Sequence, residues 1–380
     1  MVRHVLQALC DGELTGDAAG LQLGLGRSQV YALRTAYLRS RARRQGACWQ
    51  PGPSGGDHTR ERATPVQALM RRLLSAEPPP PYGFVASEVD RRLDVKLDRA
   101  TVRRWALAKD LAHPSRPTTR APAPVRRWQR SRIGELWQLD ATPHPWFPND
   151  PKAYPLLDML DDCSRVITGA RIYPRETLEA YLDFLPRAFR EYGLPLELYV
   201  DYHSFFFTHT PEALTTLGAA LHFYGIALRF APTPQAKGKI ERQHHYWQIR
   251  LPSFFAVERI RTPVAANPPL DDLRRHHNRA EVHRELAMRP QEAWQRALAE
   301  DRSRLRVAPQ CPWWPYVWSI RKAVTVASDN RVPVGTQRLR IAVPPHKRVV
   351  HCRHPDGAIT YIQHQPDPRA LPVILLKVDP

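Results

Sequence analysis

Cysteine is scarce in this chain of 380 residues: five occur, at Cys10, Cys48, Cys163, Cys311 and Cys352, each alone and with no Cys-x-x-Cys pair. That spacing excludes a disulfide framework and a cysteine-based zinc site, and it fits a reducing, cytoplasmic setting. Long apolar runs are missing too. The longest stretch without a charged residue, Ala213 to Leu228, contains Thr215, Thr216, Gly218 and His222 and is too short and too polar to span a bilayer. Asp11, Glu13 and Asp17 lie close behind the N-terminus, unlike a secretory signal, so a soluble, non-secreted protein with no membrane partner is expected. Acidic residues are the minority, 37 against 56 Lys plus Arg, for a formal charge of +19. Such a balance argues against a neutral small molecule as the first partner and for a polyanion.

The charge is uneven. Residues 1–130 carry 23 basic and 11 acidic side chains, 131–250 carry 12 and 14, and 251–380 carry 21 and 12, so basic flanks bracket a slightly acidic centre. Flanks of that kind suit a nucleic-acid backbone, and the centre is free to hold carboxylates for another purpose. Gly, Pro and Ser between Gln45 and Pro65, and the prolines from Pro114 to Pro124, mark two linkers. The expected organisation is a helix-turn-helix module over 1–45, a linker over 46–64, a second such module over 65–113 and a linker over 114–130. A catalytic core over 131–300 and a small β-barrel over 301–380 complete it.

In the first module Val5, Leu6 and Leu9 form one apolar helical face, Thr15 caps a second helix, and Gly24 to Gly26 turn the chain into a third from about Ser28. A helix-turn-helix would present Arg27, Gln29, Tyr31 and Arg34 to a DNA groove; a plain three-helix module is the alternative. In the second, Ser87 is expected to cap one helix and Asp98 another, the latter carrying Arg103 and Arg104 towards DNA. From Leu136 onward, short apolar runs alternate with amphipathic helices, the pattern of an α/β domain. Three strands with a hairpin at Asp161 to Ser164 come first, then a helix over about 177–192. A fourth strand ending at Asp201, a helix over 211–224 capped by Thr210, and a fifth strand follow, and the helix bearing Glu241 comes last.

Asp140 on the first strand, Asp201 at the end of the fourth and Glu241 on the following helix sit among apolar neighbours, where an ionised carboxylate is costly unless it ligates a cation. Three carboxylates without a His or Cys cluster favour Mg²⁺ or Mn²⁺ over zinc, and two such ions would serve in-line phosphoryl transfer. Each acid taken singly also reads as a cap or turn former. Asp158, Asp161 and Asp162 compete for the role, but their run before Ser164 fits turn formation better.

The segments "LWQLDATPHPWF", "LLDMLDDCSRVITG", "LYVDYHSFF" and "PTPQAKGKIERQHHYWQ" together resemble the DDE transposases of bacterial insertion sequences with a retroviral-integrase-type core, more narrowly the ISNCY-like group. The resemblance covers about residues 130–295. It implies an RNase H-like fold with a mixed five-stranded sheet and a D-D-E triad of Asp140, Asp201 and Glu241 as catalytic and metal-binding residues. Two Mg²⁺ ions, strand cleavage and strand transfer on double-stranded DNA, and an oligomer that pairs element ends in a bacterial cytoplasm, at the nucleoid, are implied with it. Two departures stand out: Tyr202 and His203 follow the second aspartate where many such cores have Asn-Gly, and no His-His-Cys-Cys zinc module precedes the core.

Helical spacing sets Lys237, His245 and Gln248 on the face of Glu241, and with Lys239 they are the expected DNA contacts near the metals. His203 and His244 read more naturally as supporting or surface residues. Leu286 and Trp294 are expected to pack on the core, and the "CPWWPYVW" cluster to form a packed hinge into the barrel or, alternatively, a base-stacking surface. A catalytically idle DNA-binding regulator and an RNase H-type nuclease or resolvase are the rival readings.

Overall fold

The computed structural model describes residues 1–42, 63–113, 129–202, 206, 215–231, 237–308, 311–364 and 371–380. The chain forms two compact units, Met1–Ala63 and Thr64–Pro380.

In the first unit, α1 (Val2–Cys10), α2 (Gly16–Leu23) and α3 (Arg27–Ala42) enclose a core of Val5, Leu9, Ala19 and Val30. The Thr15 hydroxyl accepts the Ala18 N–H and so caps α2, and Gly24 ends that helix at φ 63°, where a side chain would be strained. The Tyr37 hydroxyl donates to Gln7 Oε1 at 2.6 Å, tying α3 to α1.

The second unit opens with α4 (Thr64–Leu74), α5 (Tyr82–Leu93) and α6 (Arg99–Ala108), packed about Met70, Leu73, Val85, Val89, Val102 and Trp105. Asp98 caps α6 as expected. Ser87 does not cap a helix: α5 begins one turn earlier, after Pro81, and the Ser87 hydroxyl instead donates to Glu281 at 3.1 Å. Proline at that boundary has its φ set and lacks only an N–H that the first turn does not use.

The sheet that follows comprises β1 (Leu136–His144), β2 (Tyr154–Asp161), β3 (Ile167–Ile172), β4 (Glu197–Val200) and β5 (Ala227–Phe230), in the order β3-β2-β1-β4-β5. β1 runs antiparallel to β2, and β2 to β3, while β4 lies parallel to both β1 and β5. This is the expected mixed five-stranded sheet. Between β3 and β4 lies α7 (Leu178–Tyr192), capped by Thr177, and between β4 and β5 lies α8 (Thr216–Phe223). The expected start of α8 at Pro211, with Thr210 as cap, lies outside the described residues. The described helix starts at Thr216, where Thr215 is extended and its hydroxyl accepts the Gly218 N–H as a cap.

Strand alternation assigns the two faces of the sheet. Trp137, Leu139, Leu157, Met159, Leu198 and Val200 point to α7 and α8, where Tyr181, Leu185, Phe189, Leu217 and Leu221 complete the core. The other face meets α9 (Gly238–Gln248), α10 (Leu251–Glu258) and α11 (Pro263–Ala280) through Leu156, Ile167, Trp247, Phe254, Phe255 and Leu270, and Phe84 of α5 enters this cluster. The helical module 64–108 is therefore joined to the sheet layer through a shared apolar core, reinforced by an Arg92–Glu258 ion pair at 3.0 Å. On the outer side of β3, the amides of Asn267 and Asn278 each donate to and accept from one strand residue, Ile172 and Ile167. Both are buried and so close backbone groups that an edge strand otherwise leaves open.

After α12 (Pro290–Ala299), Trp294 packs into the core with Trp314, Val317 and Trp318, the last three around the short α13 (Trp314–Val317). The Tyr224 and Trp318 rings stack 5.7 Å apart, so these aromatics are packed inward. Leu286 is only half-buried and joins none of the core clusters among the described residues.

The expected C-terminal barrel is replaced by an open four-stranded antiparallel sheet and a hairpin. β6 (Ile320–Thr325), β9 (Arg348–Arg353), β10 (Ile359–Gln363) and β11 (Ile374–Val378) form the sheet in the order β11-β10-β9-β6, and β7 (Arg331–Val334) pairs with β8 (Gln337–Arg340). The hairpin lies over the sheet on a small core of Val326, Val332, Ile341, Val349 and Tyr361. Among the described residues no helix is long and apolar enough to cross a membrane.

Candidate active site

Register brings the two aspartates together. In the parallel β1–β4 pair, Gln138 lies opposite Tyr199 at the end of the ladder; Asp140 follows two residues along β1 and Asp201 directly after β4, and one lysine reaches both. By strand alternation both carboxylates lie on the face covered by α9, opposite the Trp137 and Leu139 face. Lys237, immediately before α9, enters between them: its Nζ is 2.8 Å from Asp140 Oδ1 and 4.0 Å from Asp201 Oδ2. It is only 3% exposed, whereas the Asp201 side chain is largely open to solvent. Two hard oxygen donors thus converge on one cationic centre, which suits a hard divalent cation.

The helix seals the inner side of this pair. His244 Nδ1 is 4.0 Å from Asp140 Oδ2, and burial, opposed by Asp140 and aided by Lys237, brings the imidazole down to about 4, so it is neutral at pH 7. One turn on, Trp247 Nε1 donates at 3.0 Å to Asp158, which lies directly opposite Asp140 on β2. Burial pushes the Asp158 carboxyl well up, against the Trp247 bond and with help from the Asp140 charge. Gln248 Nε2 donates to Thr142 Oγ1 at 3.0 Å, anchoring the end of α9 to β1.

Glu241 and His245 are on the exposed side of α9. Among the described residues no three His, Cys, Asp or Glu side chains are gathered closely enough to cage a metal ion. The structure therefore brings Asp140, Asp201 and Lys237 together and leaves Glu241 outside that group. His203 lies outside the described residues; Tyr202 is exposed and stacks on Phe230 at 4.8 Å.

The remaining expected DNA contacts are dispersed. Lys239 turns inward to pair with Asp162. Arg27 is exposed, 3.6 Å from Asp17, and Gln29 Oε1 accepts the Gly26 N–H at 3.1 Å, bracing the turn before α3. Tyr31 lies so close to Gly16 that a Cβ there would sit 2.8 Å from its ring, and Arg34 is half-buried. Arg103 and Arg104 are exposed on α6, and Arg104 donates to the Thr101 hydroxyl at 3.1 Å.

Asp161 and Asp162 build the turn but are not exposed turn residues. Asp161 accepts from the Gly134 N–H, the Trp137 indole and both the amide and hydroxyl of Ser164. Asp162 accepts from the Arg130 amide, Gln138 and Lys239. Sequence reasoning missed the juxtaposition of Asp158 with Asp140 and of His244 with Asp140. The nine-residue connection between β1 and β2 does not fix their register by length; the signal available was the common parity of the even-numbered residues in both strands.

In sequence the chain is similar to the transposase for insertion sequence IS1202 of Streptococcus pneumoniae, 35% identical over 162 residues, 41% of this chain and 32% of that protein. It is also similar to the putative transposase y4bF of Sinorhizobium fredii, 28% identical over 307 residues, 76% of this chain and 65% of that protein. The chain thus spans about a third of the first curated relative and just under two thirds of the second. No family model matches. A chain of the simian T-cell lymphotropic virus intasome solved with the PP2A regulatory subunit B56 gamma overlaps 77% of this chain and 99% of its own length, at 16% identity and a TM-score of 0.38. The HTLV-2 integrase catalytic core domain, solved with magnesium, overlaps 41% and 94%, at 17% identity and a TM-score of 0.32. Transposases are what this chain is similar to among sequences.

Proposed function

We propose that the protein is a DDE-type DNA transposase of an insertion sequence, which binds the element's ends and cleaves and joins DNA strands in a divalent-metal-dependent reaction. The observation that carries this reading is the pair of aspartates on adjacent parallel strands, both directed at one cationic centre, with the helix bearing Glu241 laid across the same face. The strand order, with three antiparallel strands followed by two parallel ones, supports an RNase H-like core.

In this reading Asp140, Asp201 and Glu241 hold Mg²⁺, or Mn²⁺, in two sites. When bound, the ions stabilise charge on the attacking and leaving oxygens of an in-line displacement at phosphorus. The protein's own contribution is positioning. Asp140 is fixed by the sheet, with Asp158 opposite it on β2 tied to the Trp247 indole and buried His244 beside it. Asp201 and Glu241 are both exposed, so each is open to an arriving DNA backbone. A water oxygen would bond to the scissile phosphorus as the 3′-oxygen leaves to become a 3′-hydroxyl, and that hydroxyl would then bond to a target phosphorus as the target strand's own 3′-oxygen leaves, with no covalent protein intermediate. Arg27 and Gln29 on α3, Arg103 and Arg104 on α6 and His245 beside Glu241 lie on exposed surfaces suited to phosphate or groove contacts. Because two element ends must be brought together, the working form is a homo-oligomer on DNA.

The test is a strand-cleavage and strand-transfer assay on DNA carrying the element's termini with Mg²⁺, comparing wild type with Asp140→Asn, Asp201→Asn and Glu241→Gln. Each variant is expected to lose at least about 10²-fold in rate while retaining DNA binding. A nuclease that never joins ends, or an idle regulator that binds without cutting, would be seen directly.

A further inference from the structure

We propose that the Lys237 ammonium is the resident counter-ion of the Asp140–Asp201 pair in the metal-free protein, and that a divalent cation enters by displacing it. Lys237 then sets how tightly metal is held before DNA arrives. This rests on the reading of Asp140 and Asp201 as metal ligands.

An ammonium 3% exposed is expensive to bury unless it is paired. The partners are present: Asp140 Oδ1 at 2.8 Å and Asp201 Oδ2 at 4.0 Å, with the Lys237 side chain itself 4% exposed. The other basic group near this pair, His244, stands further off, its Nδ1 4.0 Å from Asp140 Oδ2. Lys239, two residues on, is committed to Asp162. Lys237 is therefore the cation that makes two neighbouring carboxylates tolerable on the inner face of the sheet.

The same contact opposes metal. A divalent ion held by Asp140 and Asp201 needs the oxygens that Lys237 now engages, and a unit positive charge at ion-pair distance repels it strongly in a poorly solvated site. Both effects act in the same direction, so apparent affinity for metal is lowered until the lysine swings out. Its position ahead of the first residue of α9 lets the side chain leave without opening that helix.

The test is a Mn²⁺ titration of the full chain without DNA, followed calorimetrically and by the electron spin resonance of free Mn²⁺. Wild type, Lys237→Met, Asp140→Asn and the double variant are compared. Lys237→Met is expected to bind Mn²⁺ at least about tenfold more tightly than wild type. Asp140→Asn should abolish this binding in either background, and Lys237→Arg should bind like wild type. If Lys237→Met bound Mn²⁺ no more tightly than wild type while Asp140→Asn still abolished binding, the counter-ion role would be refuted and the ligand assignment kept. If Asp140→Asn bound like wild type, the ligand assignment would fail and this inference with it. Should Lys237→Met lose its native circular dichroism, Lys237→Gln, judged by the same criterion, replaces it.

Discussion

Replacing Asp161 by Asn exchanges one oxygen for an NH₂ at the turn between β2 and β3, where the side chain also holds the start of β1, and the structure says what it costs. The carboxylate accepts four hydrogen bonds: Oδ2 takes the Gly134 N–H at 2.8 Å and the Trp137 indole N–H at 3.1 Å, and Oδ1 takes the Ser164 N–H and hydroxyl, both at 2.7 Å. An amide NH₂ cannot accept, so in either orientation two donors lose their partner. The Ser164 hydroxyl can rotate, but the other three N–H groups cannot. At about 1–3 kcal/mol for each buried unsatisfied group, Asp161→Asn should cost about 2–4 kcal/mol after relaxation. Asp161→Ala, which strands all four donors, should cost more.

The pH dependence is a second handle. Burial, opposed by the bonds from Ser164 and Gly134, raises this carboxyl from 3.8 to about 6. For an acid whose folded value lies above its unfolded one, the contribution to stability is lost as pH climbs from the unfolded to the folded value. The non-titrating Asn variant lacks that loss, so the gap between wild type and Asp161→Asn should shrink between pH 4 and 6 and level off above. Urea unfolding followed by tryptophan fluorescence measures it, with Trp137 as a reporter at the site itself. A gap below about 0.5 kcal/mol at pH 5, or one that widens as pH rises, would refute this account of the turn.

Arg274, buried on α11, donates to Glu191 on α7, to Asp271, to the Tyr192 hydroxyl and to the Ile167 carbonyl on β3. Arg274→Met should destabilise by about 2–4 kcal/mol in urea unfolding, because charged hydrogen bonds are lost while Glu191 and Asp271, partly exposed, can hydrate; an unchanged midpoint would contradict it. Glu281 gathers Ser87 of α5, Tyr246 of α9, His277 and Arg250. Burial alone would raise its carboxyl, but the bond and charge of His277, with Arg250 and Tyr246, hold it down at about 2. A depressed carboxyl contributes stability above its unfolded value that disappears as pH falls through the folded one. Glu281→Gln should therefore be less stable than wild type at pH 6, with the difference narrowing from about pH 4.5 downward; a constant difference would show that Glu281 carries no such linkage.

Much of the core was legible because its signals are local. The apolar runs that became β1 to β5, the hairpin at Asp161 to Ser164, the caps at Thr15 and Asp98 and the helix over about 177–192 each depend on a few adjacent residues. The same holds for placing Asp140 and Asp201, whose strand positions follow from the apolar pattern on either side of them. What failed depends on distant partners. Ser87 has the composition of a cap, yet its hydroxyl is used by Glu281, 194 residues away. Lys237 and Lys239 have the composition of an exposed basic loop, but each is drawn inward by a carboxylate on the sheet. The C-terminal strands were recognisable one by one, whereas closure of a barrel is decided by length and stagger across all of them. β7, with Pro333 in it, shows no strand pattern of its own and is held by pairing with β8.

The most direct test of the central claim is metal rescue at Asp140. Asp140→Cys replaces a hard oxygen ligand by a softer thiolate, which Mg²⁺ takes poorly and Mn²⁺ accepts. On DNA bearing the element's termini, the account predicts that Asp140→Cys is inert in Mg²⁺ and regains cleavage in Mn²⁺, while Asp140→Ala is inert in both. Equal activity of Asp140→Cys and wild type in Mg²⁺ would contradict it, as would cleavage by Asp140→Ala, because the oxygen at Asp140 would then not be holding the metal.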